Sequence, residues 1–180
     1  MLTRDAAMLG IFRGDSAQYY PITRATWSFA TPVSYSVPVF CLAVETEPQS
    51  SIFPEDIAWP HAPSWRIDIW AHGLHENMLL PGSQVSALPS YDDLTGVIST
   101  SFYYDGLGGT VDNVVRIMSR EEDLLDVAME GYIRHPTASA TPTRITVDAQ
   151  FTRLTPRREP GLHILAPGQP RSIYSHRACA

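Results

Sequence analysis

The stretch SREEDLLDVAMEGYIRH, Ser119 to His135, decides whether this chain is purely β or packs a helix on its sheet. Its polar residues Glu122, Asp126, Glu130 and Arg134 recur every four positions, which suits one face of a helix and equally one face of a strand. Helices and strands differ more at their ends than in their middles, and these ends favour a helix. Ser119 with Glu122 three residues on matches a capping box, in which each side chain accepts a hydrogen bond from an otherwise unpaired backbone N–H. Glu121, Glu122 and Asp123 would place negative charge in the first turn, and Gly131 stands where a left-handed terminating residue is wanted. Val127 is the only β-branched residue between Arg120 and Glu130. The pattern therefore predicts a helix over 119–131. Its rival is a hairpin that turns at REED and returns on Leu125, Val127 and Met129.

The flanking segments read as strands. From Arg144 to Leu154, Ile145, Val147, Ala149 and Phe151 alternate with Arg144, Thr146, Asp148, Gln150 and Thr152, the period of a half-buried strand. Trp65, Ile67 and Ile69 alternate in the same way with Arg66 and Asp68, a face expected to be wet. Val97 to Tyr104 is rich in β-branched and aromatic residues, and Val33 to Val44 is apolar on both faces after Pro38. Ala25 to Ala30 and Val114 to Met118 are weaker strand candidates. Pro48, Pro54, Pro60 and Pro63 mark a long loop over 45–64, of a length that in a compact domain is usually functional or held by a partner. Prolines recur after Leu154. The chain thus divides into one β-rich domain, 1–154, and an extended tail, 155–180. Six to eight antiparallel strands closed as a sandwich or small barrel, with one or two short helices, is the expected architecture, with α+β the close alternative.

Composition narrows the function. The chain has 180 residues, 44% apolar and 18% charged, ordinary for a folded domain with a full core. Its net charge of −6 speaks against a phosphate-backbone partner. All thirteen basic residues are arginine, which fits the codon bias of a GC-rich genome or selection for bidentate contacts. Cys41 and Cys179 form no disulfide framework, and the start, MLTRDAAMLGIFRGD, reads as neither a secretory signal nor a membrane span. A cytoplasmic protein, or part of a particle assembled in the cytoplasm, is the expectation.

Motifs that carry chemistry are few. His72, His75 and Glu76 in AHGLHEN are the densest set of metal-ligand types, yet HGLHE lacks the HExxH spacing and Gly73 weakens a helix that would stack the imidazoles. DGLGGTVDN, Asp105 to Asn113, lacks the lysine of a phosphate loop and reads as a hairpin loop; Asp105 and Asp112 lack the alternating oxygen ligands of a calcium loop. The RGD at 13–15 is a chance tripeptide unless displayed, GDS at 14–16 lacks a glycine elbow, and Cys41 reads as a small core residue. No catalytic residue and no cofactor is assigned.

Aromatic and arginine content points to contact surfaces. Tyr, Trp and Arg anchor protein interfaces, and Trp70 falls on the face that Arg66 and Asp68 mark as wet. The interface candidates are Trp59, Trp70, Arg157, Arg158, Arg171 and Tyr174, with loop 45–64 and the tail as clasping segments. The expected function is non-enzymatic: a structural subunit or dedicated partner of a larger assembly, phage-like or secretion-type, or an immunity-type binder, with a protein partner or self-association. The alternative is a small barrel enclosing an apolar ligand, as a binding protein or cyclase-like enzyme, with Tyr103, Tyr104 and His72 at its mouth.

Overall fold

The computed structural model describes residues 7–31, 37–53, 56, 60–70, 75–87, 99–104, 106–133 and 142–154. It is mostly antiparallel β, as the alternating runs require. In chain order the strands are β1 (Met8–Arg13), β2 (Ser16–Ala30), β3 (Val39–Thr46), β4 (Gln49–Ser50), β5 (Pro60–His61), β6 (Ser64–Trp70), β7 (Gln84–Ala87), β8 (Thr100–Tyr103), β9 (Leu107–Gly108), β10 (Thr110–Glu121), β11 (Leu124–Ile133) and β12 (Thr143–Arg153). β4 pairs with β5; the other ten form one sheet in the order β7-β10-β11-β12-β1-β2-β3-β6-β8-β9. Among the described residues the only helical element is the 3₁₀ turn Glu76–Met78, and no helix is long and apolar enough to cross a membrane.

The sheet is open in its strand pairing and folds over one shared core. β9 lies at one end of the order and β10 next to the other, yet one residue, Gly109, separates them in the chain. The two ends of the sheet are thereby brought near one another, with β7 lying beside both β10 and β6. The Thr100 hydroxyl spans the seam, donating to the Thr110 carbonyl at 2.8 Å and accepting from the Thr110 N–H at 3.3 Å. The inward faces of the folded sheet enclose one core. Here Trp27, Trp65, Tyr20, Phe40, Phe102 and Phe151 fill it, each no more than 2% exposed.

The stretch 119–131 is not a helix. Glu121 pairs with Leu124 across a two-residue turn at Glu122 and Asp123, and β11 runs back between β10 and β12. Ser119, the supposed cap, instead lies opposite Asp126 and donates to its carboxylate at 2.5 Å. Glu122 sits at φ +49°, the turn's left-handed residue, and Gly131 is not a helix terminator but an interior strand position. The hairpin wins because it satisfies both edges of β11 with neighbouring strands while Leu125, Val127 and Met129 enter the core; a helix would leave the edges of β10 and β12 open.

Two other strands are longer than the sequence suggests. β1 and the first half of β2 form a hairpin with no clear sequence signal, turning at Gly14 and Asp15. Within β2 a register shift between Ile22 and Arg24 moves the inward set from Gln18 and Tyr20 to Ala25 and Trp27, which hides the alternation.

Candidate functional site

Two inward-facing rows of the sheet end in arginine, one at each open end, or mouth, of the core. Leu9 and Ile11 are followed in phase by Arg13; Ile145, Val147, Ala149 and Phe151 are followed by Arg153. A residue in the inward phase at a strand's end points across the end of the core, so these cations meet whatever loop covers it.

At the first mouth the cover is the described part of loop 45–64. Phe53 inserts into the core and Asp56 closes over it, its carboxylate taking a 2.6 Å ion pair from Arg13 and 2.5 Å hydrogen bonds from the Ser51 and Tyr104 hydroxyls. The Tyr20 hydroxyl lies 3.0 Å from that of Tyr104, and the Gln18 side chain grips the loop backbone at Ser50 and Ile52. His61 stacks on Tyr104 with ring centroids 4.6 Å apart, and Arg13 lies over the Phe53 ring at 4.4 Å. Burial alone would raise Asp56, but hydrogen bonds from Ser51, Tyr104 and Arg13, with the Arg13 charge, outweigh it and hold the carboxyl below its usual range. Burial, with the bond to Asp56, pushes the Tyr104 phenol well up, and burial raises Tyr20 too. The acid stays charged and the phenols stay neutral. Such an arrangement ties a loop down.

At the opposite mouth the cover is the segment carrying the 3₁₀ turn. Leu79 is the fully buried plug, and Glu76 is the tie. The two oxygens of its carboxylate are taken separately, Oε1 by Arg120 at 2.8 Å and Oε2 by Arg153 at 2.7 Å, and Arg120 also donates to the Glu76 carbonyl at 2.7 Å. Both guanidiniums lie over the Trp27 indole, at 5.6 and 4.9 Å from its ring, whose N–H donates to the Asp123 carbonyl. Glu76 is thus held by arginine rather than by a metal. His75 is exposed beside it and His72 falls outside the described residues; no group of three or more metal-ligand side chains occurs among the described residues.

The outer face carries a third feature, a groove of about 560 Å³ across β2, β1, β12, β11 and β10. Gly10 and Ala128 contribute to its floor, the exposed Met8 and Tyr19 stand on one side, and Arg116 and Glu130 on the other. Gly10 has a packing reason: a Cβ there would come within 2.9 Å of the Phe12 ring and 3.0 Å of the Thr146 hydroxyl. Phe12 leans over it, edge-on to Tyr19 at 5.9 Å and covered by Arg144 at 4.4 Å.

The other residues singled out from sequence fall as follows. Trp70 is half-buried at the end of β6. Trp59, Arg157, Arg158, Arg171 and Tyr174 lie outside the described residues, as do the tail 155–180 and Asp105. Asp68 is not wet: it is buried, paired with Arg66 at 3.0 Å, because its strand neighbour Cys41 and the chain at Ser99 cover it. Cys41 is not in the interior row, which runs through Phe40, Leu42 and Val44; it sits on the outer side between Ser28 and Asp68. Burial and the Asp68 charge push its thiol up to about 12, so it is no nucleophile. The RGD arginine is turned inward to Asp56 and is not displayed. Tyr103 is exposed while Tyr104 is locked in the first mouth. Sequence reading passed over Arg13, Asp56, Arg120 and Arg153 as a set, although a charged residue continuing an apolar row at a strand's end is a readable signal. Comparison with protein-family models, characterised proteins and solved structures found no match for the chain.

Proposed function

We propose that this chain is a non-enzymatic β-rich protein that works by contact, as a structural subunit or dedicated partner in a larger assembly, and that the groove over Gly10 and Ala128 is its contact surface. The groove is the observation that carries this reading: it combines exposed large apolar side chains, a small-residue floor and charges of both signs, the mixture that protein interfaces use. Two further features support it. The interior is taken up by the chain's own aromatic side chains, so an enclosed apolar ligand would have to displace them. Both mouths are spent on tying down loops. A component of a phage-like or secretion-type particle fits this description, and so does an immunity-type binder.

Affinity capture from the native host, with the full chain and with Ala128→Arg, tests the reading. Arginine at the groove floor leaves the core untouched and fills the space a partner would enter. A protein retained by the wild type and lost with Ala128→Arg is the expected result. Identical captures from both chains, or none from either, would count against this surface.

A further inference from the structure

Arg120 and Arg153 lie over Trp27 at the second mouth and converge on one acid, Glu76. Two guanidiniums converge on the Glu76 carboxylate, and Arg153 makes a second, longer ion pair with the largely exposed Asp123 at 3.8 Å. The cations are preorganised without Glu76: each is an inward-phase residue of its strand, each lies over the Trp27 ring, and Arg153 is anchored through its own N–H to the Asp123 carbonyl at 2.7 Å. Paired guanidiniums with separate oxygens as acceptors are a carboxylate-recognition geometry.

The occupant is held at the surface through its carboxylate and carbonyl, with Leu79 of the same segment buried beneath it. Glu76 sits in a three-residue 3₁₀ turn that no side chain caps, and its ion pairs are about a quarter exposed. The first mouth is different, since Asp56 is 6% exposed and accepts three side-chain bonds. We infer that the Arg120–Arg153 pair is a carboxylate-binding site occupied in cis by Glu76, and that a ligand bearing clustered carboxylates competes for it and releases the plug at 75–83. The ligand class is a small polycarboxylate or an acidic stretch of polypeptide; the chemistry recognised is the same. This site is separate from the outer groove and does not depend on the function proposed for it.

Hydrogen–deuterium exchange of the full chain tests the inference, with citrate and a hexaglutamate peptide as probes and sodium chloride at matched ionic strength as control. Both probes, or one of them, should raise exchange at 75–83 more than chloride does. Citrate alone would mark a small-molecule site, and the peptide alone a polypeptide site. A second measurement removes the competitor: Glu76→Gln should bind citrate at least about tenfold more tightly than wild type, a difference of about 1.4 kcal/mol, read as a saturable change in tryptophan fluorescence. Arg153→Gln in the same chain should abolish that change. If neither probe exceeds chloride and Glu76→Gln binds citrate no better than wild type, the contact is a plain structural tie and the inference fails.

Discussion

Gly131 shows how one missing methyl group can set the interior of a folded sheet. A Cβ at this position would lie 2.5 Å from the Asn113 side-chain oxygen and 3.0 Å from the Trp65 ring, both fully buried. Asn113 in turn donates to the Thr110 carbonyl beside the seam, so it cannot swing away without loosening that contact. Gly131→Ala should therefore destabilise by about 1–3 kcal/mol, the usual cost of overpacking a filled core, read as a lower urea midpoint at unchanged slope. Unchanged stability would mean that the Asn113 amide relocates freely. Cys41 gives a second test at this scale. With its thiol held up to about 12 by burial and by the Asp68 charge, a Cys179→Ser chain should react with iodoacetamide at pH 8 far more slowly when folded than in urea.

At the scale of elements, the hairpin of β10 and β11 carries the clearest local strain. Glu122 occupies the left-handed region at φ +49°, where a Cβ meets the backbone and glycine does not. Glu122→Gly should stabilise the chain by up to about 1 kcal/mol, the relief of the turn less the added freedom of the unfolded chain; thermal denaturation would show it. A loss of stability would mean that the Glu122 side chain makes contacts worth more than the strain. The same hairpin explains why the local pattern misleads. Capping residues, acidic first turn and terminal glycine are each helix signals, yet each has another use here: Ser119 pairs across strands with Asp126, the acids make the turn, and Gly131 makes room for Asn113.

For the whole molecule, stability against pH follows from the two closures. Asp56 is held below its usual carboxyl range, so the stability it contributes is present above about pH 4 and is lost as pH falls through its folded value. The stability gap between wild type and Asp56→Asn should therefore narrow in acid, measured by urea denaturation across pH. Tyr104 and Tyr20 are raised, so their contribution is complete below about pH 10 and declines as pH climbs beyond it. Tyr104→Phe should be less stable than wild type at pH 7 and should lose less when the pH is taken above 10. A gap independent of pH in both comparisons would mean that the mouth network is not built on these charges.

The amino-acid pattern by itself settled the class of the fold and the inward rows of several strands, because a period of two is local and survives any arrangement of the sheet. Arg144 to Leu154 and Trp65 to Ile69 were legible for that reason. The bulge in β2 and the helix-like ends of 119–131 were not, since both depend on what lies alongside. Only tertiary structure decided that β9 and β10, neighbours in the chain, fall toward opposite ends of the sheet order, and which acid each inward arginine meets. Arg13 reaches Asp56 across 43 positions and Arg153 reaches Glu76 across 77. No local periodicity encodes such a pairing, because it arises from the way the folded sheet brings strand ends and loops to the same end of the core.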